Sequence, residues 1–550
     1  MKKMGSILLT LSLLLTLCVP AFGASFRDVP SNSALAGDVQ KAVDYGLMTG
    51  YSSTSFGYID SMTRAQFVTV LVRMFGWTVS DVKTGSFQDV PAESGYTPFI
   101  ETAAAHNVVD IGGSFRPNAA ITREEMSVML VRALGLKSAA ELAARDSLPF
   151  TDVSSNRGYI AVAYTIGMTN GISAKTFAPK ATATRAQAAA MLVRIYEKYK
   201  QSTDFLHGFY AISSYSQLNL TNSMDAVSAG WSRMTFSDKA VTLSTTSAGN
   251  NEYYVPSGYD SVTEYLLARG KPLNLSVYMD NTDGALAQLL SSADYRAQAV
   301  AQIIQELTVN YSAIGRNPYS GVTIDFESLR SAQKSDFNAF LKELSQKVHA
   351  LGKKLYVCVF PVLTTGAYYD GYDYRTIGSL ADKVILMAHD YNTRSLSGFE
   401  GTTFYKTTAL APIDQVYESL RAVTDSSTGV QDVSKLMLAI SCSTLAWQID
   451  GDGKLISPTP AHPAVDTVYR RLKQPDTILG WSDDYQSPTA TYTTEDGGRY
   501  FLWYEDSRSA AAKVQLAKLF GINGVSIWRL GTIPNDTDSG LYFNLLSGVQ

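Results

Sequence analysis

The stretch Gly321-Val-Thr-Ile-Asp-Phe-Glu327 is an apolar run that ends in two carboxylates. Continuous apolar runs of this length are typical of strands that are buried on both faces of a parallel sheet. Asp325 and Glu327 are two residues apart, so strand alternation places both side chains on one face at the strand's end. Two carboxylates this close repel, which raises the proton affinity of one and suits a general acid beside an ionised neighbour. A D-x-E pair alone is a weak signal, because about one copy is expected by chance in a chain of this length. An inward-facing salt-bridge pair is the alternative.

Seven further apolar runs of the same kind occur between residues 206 and 528, and helical patterns lie between several of them. This alternation predicts βαβ units, and eight such units over about 345 residues predict an α/β fold, a (β/α)8 TIM barrel spanning residues 206–550. The segment at about 443–505 is rich in Asp, Gly, Thr, Pro and Tyr and predicts an α+β insertion beside the cleft. An open doubly wound sheet is the alternative, although no Gly-rich phosphate loop follows the early strands. The predicted strands are Leu206–Ile212, Val227–Met234, Leu273–Tyr278, Gly321–Phe326, Lys354–Phe360, Lys383–Ala388, Lys435–Ser441 and Gly524–Trp528, and the clearest predicted helices are Ala297–Val309, Ser331–Leu351, Pro412–Thr424 and Ser507–Phe520.

Polar and aromatic residues at the ends of these strands are candidates for the site, because catalytic groups in such barrels lie at the C-terminal strand ends. Asp325 and Glu327 are the predicted catalytic pair. For His389 the alternative is a packing role, because a lone His packs more often than it catalyses. For Trp528 ordinary barrel packing is an equal alternative. For the segment Trp503-Tyr-Glu-Asp506 the alternative is helix capping. No His, Cys or Asp clusters with His389 at metal-ligand spacing, so the sequence predicts no metal or other cofactor. The predicted substrate-binding residues are Tyr210, Met387, His389, Asp390, Tyr391, Tyr504, Glu505 and Trp528.

One sequence unit occurs three times before the barrel. Phe26-Arg-Asp-Val29 recurs as Phe87-Gln-Asp-Val90 and Phe150-Thr-Asp-Val153, and the Asp spacings are 61 and 63 residues. A second motif recurs in step with the first, as Met62-Thr-Arg-Ala-Gln66, Ile121-Thr-Arg-Glu-Glu125 and Ala183-Thr-Arg-Ala-Gln187. Repetition at a fixed period predicts three structural modules, which we place at residues 25–80, 85–140 and 146–200.

Each second motif has the pattern of a helix start. Its Thr is a good N-cap, and the Glu or Gln three residues later completes a capping box. The Arg after the cap lies at the positive end of the helix dipole, where a cation is unfavourable. Three such placements predict arginines that face an anion, and the alternative is an Arg–Asp pair inside each repeat. The arginines are Arg64, Arg123 and Arg185, and the aspartates are Asp28, Asp89 and Asp152.

Composition and the N-terminus limit the class of protein. The 550 residues carry a net charge of −4, which excludes a polyanion binder that depends on bulk positive charge, so we expect no nucleic-acid partner. Three Cys exclude a disulfide scaffold, and Cys358 and Cys442 are predicted to be small buried hydrophobes. Residues 1–23 have two Lys, an apolar run and a small-residue cleavage site, which predict a signal peptide, with a retained anchor as the alternative. The sequence therefore predicts export and no membrane association after cleavage.

The three repeats resemble the S-layer homology domain, whose signature is an F-x-D-V opening and an I-T-R-A-E helix start. The acidic residue of the second motif is present as Glu125 and replaced by Gln66 and Gln187 in the other copies. The resemblance implies an all-α pseudo-threefold module at the bacterial cell surface or cell wall. It also implies an anionic, typically pyruvylated, secondary cell-wall polymer as the anchor, held by the three repeated arginines.

Residues 206–545 resemble the family 18 glycoside hydrolases, and most of all their bacterial spore-cortex and cell-wall N-acetylglucosaminidases. The family motif D-G-x-D-x-D-x-E reads Ser320-Gly-Val-Thr-Ile-Asp-Phe-Glu327, the motif M-x-Y-D reads Met387-Ala-His-Asp390, and the eighth-strand Trp is Trp528. The resemblance implies a retaining, substrate-assisted mechanism, in which Glu327 is the acid and Asp325 orients the substrate's acetamido group. It implies peptidoglycan or a related N-acetylglucosamine glycan as substrate. A chitinase, or a non-catalytic glycan-binding protein on the same barrel, is the alternative. Ser320 and Thr323 stand in the two upstream Asp positions of the motif, which implies an altered pH profile.

Overall fold

The computed structural model describes residues 26–82, 85–361, 370–389, 391, 395–537 and 540–550. The predicted signal peptide and Asp390 lie outside these residues. The chain forms two compact units. The first unit contains Met1–Ala105, Asp110–Thr122 and Ala181–Val193, and the second, the barrel unit, contains His106–Val109, Arg123–Lys180 and Arg194–Gln550.

The described residues form thirteen strands and sixteen α-helices. The strands are β1 (Phe205–Tyr210), β2 (Ala226–Ser237), β3 (Ala240–Ser244), β4 (Leu273–Asp280), β5 (Gly321–Glu327), β6 (Lys354–Val359), β7 (Lys383–Leu386), β8 (Leu436–Ser441), β9 (Leu445–Ile449), β10 (Ile478–Ser482), β11 (Ser487–Thr493), β12 (Arg499–Trp503) and β13 (Gly524–Trp528). The helices are α1 (Ala36–Asp44), α2 (Arg64–Phe75), α3 (Thr97–Ala105), α4 (Arg123–Ala133), α5 (Lys137–Ala143), α6 (Arg157–Thr165), α7 (Arg185–Tyr199), α8 (Tyr259–Ala268), α9 (Ala285–Ser291), α10 (Ala293–Glu306), α11 (Lys334–Ala350), α12 (Tyr374–Leu380), α13 (Ile413–Val423), α14 (Val465–Leu472), α15 (Ser507–Leu519) and α16 (Leu546–Val549).

Eight parallel strands close into a barrel, which confirms the predicted (β/α)8 fold. The order around the barrel is β1-β13-β8-β7-β6-β5-β4-β2, and pairing between β1 and β2 closes the ring. All eight predicted barrel strands are present, with ends that differ from the prediction by at most three residues. Their apolar runs are buried, as strands covered by helices on one side and by the barrel core on the other require. Because all eight strands are parallel, their C-terminal ends lie together at one end of the barrel.

The predicted insertion is a four-stranded antiparallel sheet, in the order β10-β11-β12-β9, together with α14. Alternate residues of its strands pack into two different hydrophobic clusters, as the period of two requires. Trp447 and Trp503 lie in one cluster, whereas Ala446, Leu502 and Tyr504 lie in the other. The sheet therefore has a buried core on each face.

The first unit is organised by a ring of backbone hydrogen bonds between equivalent residues of the three repeats. The N–H of Met62 donates to the C=O of Ala183 (3.0 Å), Ile121 donates to Met62 (2.9 Å), and Ala183 donates to Ile121 (3.4 Å). This closed cycle is the pseudo-threefold arrangement that the repeats predict. Two of the predicted capping boxes are confirmed, between Thr63 and Gln66 and between Thr184 and Gln187.

Candidate functional site

The carboxylate pair lies at the C-terminal end of β5. Asp325 is buried, with 3% of its surface exposed, and Glu327 is half-buried as the last residue of the strand. Ser328 follows with a φ of 58°, in the left-handed region that non-glycine residues rarely adopt. The Ser328 hydroxyl donates to the Asp280 carboxylate (2.8 Å), and this bond fixes the turn that ends the strand beside Glu327.

Two tyrosines of the neighbouring structure lie against the pair. Tyr278 on β4 is the register partner of Asp325, and its ring stacks on that of Tyr253 at 4.5 Å between centroids. Burial, followed by the charges of Asp325 and Glu327, raises the pKa of Tyr253 to about 12. Burial and then the charge of Glu327 also raise the pKa of Tyr278. Both phenols therefore stay protonated at neutral pH and remain hydrogen-bond donors next to the carboxylates.

Residues behind the strand hold the pair in place. Cys358 on β6 is fully buried, and the register of β5 and β6 places it beside Asp325. Burial and then the nearby carboxylate charges raise the pKa of this thiol well above its usual value, so it remains S–H. The Tyr372 hydroxyl donates to the C=O of Phe326 (2.7 Å), between the two acids. Cys358 is buried, as predicted, and it also contacts the site.

A neutral hydrogen-bonded chain fills the barrel interior two residues before Asp325. Thr323, which occupies an Asp position of the family motif, is bonded to the Ser228 hydroxyl (2.6 Å). Ser228 is bonded to Nε2 of His207 (2.8 Å), and Nδ1 of His207 is bonded to Ser526 (2.8 Å). Burial lowers the pKa of His207 to about 3, so the imidazole is neutral. The side chains of this hydrogen-bonded chain are therefore uncharged at neutral pH.

Tyr210 ends β1 at the same end of the barrel. It is 2% exposed, its ring makes an edge contact with Trp231 on β2 at 6.1 Å, and burial raises its pKa to about 12. Within the described part of the chain, the Tyr210 hydroxyl and the Trp231 indole N–H are buried without a hydrogen-bond partner. Buried polar groups are nearly always satisfied, so these two donors are available to a ligand. Trp528 ends β13, is half-buried and packs its ring edge-on against Phe209 at 5.1 Å.

The segment after β7 contributes buried residues. Met387 and His389 are 7% and 6% exposed, and Asp390 lies outside the described residues. The Tyr391 hydroxyl is bonded to α13, at the Ser419 hydroxyl (2.5 Å) and the C=O of Gln415 (3.2 Å). Over the described ranges, no group of three or more His, Cys, Asp or Glu side chains is placed to hold a metal ion.

Tyr504 and Glu505, which the sequence predicts to bind substrate, both make internal contacts in the structure. Tyr504 is 3% exposed and packs in the insertion core against Phe543. Glu505 is 4% exposed, and its two carboxylate oxygens accept hydrogen bonds from Nζ of Lys513 at 2.9 and 2.7 Å. The next residue, Asp506, caps α15 through the N–H groups of Arg508 and Ser509. The carboxylates of Glu505 and Asp506 therefore both have partners inside the protein.

The repeated arginines make the same contact three times. Each donates through Nε to the C=O of the Phe that precedes the second motif of the next repeat, at 2.8 to 2.9 Å, and lies over that ring at 4.7 to 5.0 Å. Burial lowers the pKa of both Arg123 and Arg185. These contacts join one repeat to the next. The alternative considered from the sequence, an Arg–Asp pair inside each repeat, would join groups of the same repeat instead. The pairs are Arg64 with Phe115, Arg123 with Phe177, and Arg185 with Phe56.

The repeated aspartates have a separate role. Asp28, Asp89 and Asp152 each accept hydrogen bonds from backbone N–H groups of their own repeat, beginning at the same Phe residues. At Asp152, the N–H groups of Phe177 and Ala178 lower the pKa of the carboxyl. Each Phe therefore links an Asp of its own repeat to an Arg of the preceding one.

Sequence reasoning missed Tyr253, Tyr278, Cys358 and Trp231. A signal existed for Tyr278, because it stands near the end of a predicted strand that neighbours β5 in a parallel barrel. Cys358 lies on the neighbour to the other side, and its closeness to Asp325 depends on the register of β5 and β6. Tyr253 lies outside the predicted strands and helices, so no local pattern indicated it.

Comparison with known families matches both parts of the chain. Residues 273–532 match the family described as Glycosyl hydrolases family 18. Residues 25–68, 86–127 and 149–189 match the S-layer homology domain. The first match contains Asp325 and Glu327, and each of the three others contains one of the repeated arginines.

Individual relatives and solved structures match more weakly. A cortical fragment-lytic enzyme of Bacillus subtilis (strain 168) is 24% identical over 238 residues, 42% of this chain and 50% of the relative. An S-layer protein of Bacillus thuringiensis subsp. finitimus is 26% identical over 185 residues, 33% of this chain and 22% of the relative. The chain spans about half the length of the first curated relatives it matches. The solved C-terminal domain of a candidate chitinase from Desulfitobacterium hafniense DCB-2 shares the fold, with a TM-score of 0.50, 21% identity, and coverage of 64% of this chain and 100% of that one.

Proposed function

The chain carries a family 18 glycoside hydrolase domain behind three S-layer homology domains, and on this premise we propose that it is a cell-wall-anchored hydrolase of N-acetylglucosamine-containing glycan, with peptidoglycan as its substrate. The observation that carries the proposal is the pair Asp325 and Glu327 at the C-terminal end of β5, where barrel enzymes place their catalytic groups. Asp325 is buried, which suits a group that orients the substrate, and Glu327 is half-buried, which suits a proton donor that the glycosidic oxygen can reach.

In the proposed reaction Glu327 protonates the glycosidic oxygen, and the C1–O bond to the leaving sugar breaks. The carbonyl oxygen of the substrate's own N-acetyl group bonds to C1, which gives an oxazolinium ion. Asp325 accepts the acetamido N–H and stabilises the positive charge that develops. Glu327 then takes a proton from water as the water attacks C1, and the bond between C1 and the acetamido oxygen breaks to restore the N-acetyl group. Two inversions at C1 retain the configuration, and the acid is regenerated.

Several neighbours of the pair support this division of roles. The buried Cys358 thiol lies beside Asp325 and stays protonated, because burial and then the nearby carboxylate charges raise its pKa. Tyr253 and Tyr278 keep their phenol protons close to both acids and are available as donors to substrate oxygens. Tyr210 and Trp528 lie at the same end of the barrel, where we assign them to sugar binding, together with Met387, His389 and Asp390.

The anchoring part of the proposal depends on the three repeats, which are cell-surface anchoring modules. We assign Arg64, Arg123 and Arg185 to an anionic, pyruvylated secondary wall polymer. Arg123 and Arg185 each donate through Nε and Nη2 to backbone carbonyls, and we assign the remaining Nη1 of each to the anion. Three weak sites on one polymer provide avidity. No helix in the described ranges is long and apolar enough to cross a membrane.

The catalytic proposal is tested by Glu327→Gln with purified cell wall as the substrate. Wild type is expected to release reducing muropeptides with retained configuration at C1, and the variant is expected to lose at least a hundredfold in rate, a typical share for general acid catalysis. Glu264→Gln on α8 is the matched control, because Glu264 is exposed and remote in sequence from the strand ends. Equal release by wild type and Glu327→Gln would refute the enzyme. Release from chitin alone would replace peptidoglycan with chitin as the substrate.

The anchoring proposal is tested by co-sedimentation with cell walls. The full chain is expected to bind intact walls and to lose binding once the secondary polymer has been extracted with acid. Esterification of the polymer's carboxylates in intact walls is also expected to abolish binding, because it removes the negative charge. Unchanged binding to extracted walls would assign the anchor to peptidoglycan and refute the polymer.

A further inference from the structure

A cavity of about 370 Å³ lies beside Trp528, in the barrel unit. Its walls come from the C-terminal end of β8 (Cys442 to Thr444), from the insertion (His462 to Val465) and from the end of β13 and the residues after it (Trp528, Arg529 and Thr532). The cavity therefore opens at the same end of the barrel as Glu327. It is separate from the pair itself, because β8 and β13 lie across the barrel from β5.

Hydrogen bonds hold the walls of the cavity in position. Nδ1–H of His462 donates to the C=O of Thr444 (2.8 Å), and the Thr444 hydroxyl donates to the C=O of Pro463 (2.6 Å). A carbonyl only accepts, so Nδ1 of His462 carries a proton in this bond. Backbone bonds between Ala446 and Ala461, both 2.8 Å, continue this pairing.

Arg529 is the permanently charged residue of the described cavity lining. Arg529 is half-buried, and its Nη1 donates to the Ser213 hydroxyl (2.8 Å). Within the described residues Arg529 makes no ion pair, and the lining contains no Asp or Glu. Hydroxyls of Ser443 and Thr532 complete the wall. A guanidinium without a counter-ion, set among hydroxyls, matches the geometry and charge of a carboxylate.

We propose that this cavity binds a carboxylate carried by the glycan next to the sugar on Trp528, and that it selects acidic wall glycan over neutral chitin. The proposal rests on the proposed function, because it takes Trp528 as the floor of a sugar subsite. Arg529 supplies the charged fork, and the Ser443 and Thr532 hydroxyls supply neutral hydrogen bonds. The carboxylate has two sources in a wall glycan, either the ether-linked acid on the sugar ring or the peptide attached to it.

The experiment compares three substrates with the full chain: peptidoglycan, peptidoglycan whose peptides have been removed by an amidase, and chitin oligosaccharides. Arg529→Gln is expected to lower the ratio of kcat/KM on acidic glycan to kcat/KM on chitin oligosaccharides about tenfold. If Arg529→Gln loses more kcat/KM on amidase-treated peptidoglycan than on intact peptidoglycan, the cavity binds the ether-linked acid. If it loses more on intact peptidoglycan, the cavity binds the peptide. An unchanged ratio would overturn the proposal. Absence of Glu327-dependent hydrolysis of every substrate would instead overturn the proposed function.

Three variants separate this role from a structural one. Arg316→Gln removes the same charge from an exposed loop before β5, at the opposite end of the barrel, and should leave the ratio unchanged. Ser213→Ala removes the observed partner of Arg529 but keeps the guanidinium, and should also leave the ratio unchanged. Arg529→Lys keeps the charge without the fork and should lose less than Arg529→Gln. If Arg529→Lys and Arg529→Gln lowered kcat/KM equally on all three substrates, Arg529 would have a packing role and the carboxylate site would be refuted.

Direct binding provides a second readout that does not require turnover. In the Glu327→Gln background, N-acetylmuramic acid should bind about tenfold more tightly than N-acetylglucosamine, and its methyl ester should lose that advantage. Adding Arg529→Gln should remove the difference between the acid and the ester. Equal binding of acid and ester in the presence of Arg529 would refute a carboxylate site.

Discussion

The ion pair between Glu505 and Lys513 provides a sharp test of the structural role assigned to Glu505. Both side chains are buried, at 4% and 2% exposed, and Nζ lies 2.9 and 2.7 Å from the two carboxylate oxygens. Ser509 donates to the same carboxylate at 2.6 Å. Lys513→Met removes the cation and leaves the buried carboxylate without its charge partner, which costs about 3 to 5 kcal/mol in such pairs.

The measurement is urea unfolding followed by tryptophan fluorescence, because five of the six Trp belong to the barrel unit. At a slope of about 3 kcal/mol per molar urea, Lys513→Met should lower the midpoint by about 1 to 1.7 M. The double variant Glu505→Leu with Lys513→Met replaces both charges by apolar groups and should return to within about 1 kcal/mol of wild type. It should also retain the wild-type rate on cell wall.

Two results would refute this reasoning. A midpoint for Lys513→Met within experimental error of wild type would mean that Glu505 does not depend on Lys513. A double variant that folds like wild type but has lost turnover would mean that Glu505 serves the substrate, as the sequence predicted.

Three further predictions concern His207, Arg185 and Tyr210. Burial lowers the pKa of His207 to about 3, so below about pH 6.5 the unfolded chain binds a proton that the folded chain does not, and the folded state loses stability. The stability advantage of wild type over His207→Gln, measured by urea unfolding, should therefore shrink by about 3 kcal/mol between pH 6.5 and 4. Arg185→Ala loses a charged hydrogen bond and the ring contact to Phe56, so calorimetry should show the first unit destabilised by about 2 to 4 kcal/mol. Arg27→Ala, at an exposed position, is the control. An unchanged thermal transition for Arg185→Ala would assign Arg185 to the polymer alone. Tyr210→Phe removes a buried hydroxyl without a partner in the described structure, so it should change the free energy of unfolding by less than about 0.5 kcal/mol and lower kcat/KM several-fold. A loss of stability with kcat/KM unchanged would contradict a ligand contact.

The parts of the site that could be predicted are those that depend on local pattern. The eight apolar runs, the position of Asp325 and Glu327 at one strand end, and the helix starts at Thr63 and Thr184 follow from periodicity over a few residues. Each of these needs only the chain within about one turn or one strand. The structure confirms the strands and both capping boxes.

The rest depends on pairing between distant segments. Tyr278 and Cys358 reach Asp325 because β4 and β6 flank β5 in a fixed register, and Tyr253 reaches it because its ring stacks on Tyr278. Glu505 carries the same charge as Glu327, and only the burial of Lys513 beside it makes it structural.

The sequence by itself determined a threefold repeat, a (β/α)8 barrel with an insertion, and a carboxylate pair at the end of its fourth strand. The tertiary structure decided which polar groups meet. It joins each repeated Arg to the Phe of the next repeat, fills the barrel beneath Asp325 with the neutral chain of Thr323, Ser228 and His207, and leaves Arg529 in a cavity whose described lining has no carboxylate. The physical reason is that a hydrogen bond or ion pair depends on distance and burial in space, whereas local pattern determines only which face of an element a side chain occupies.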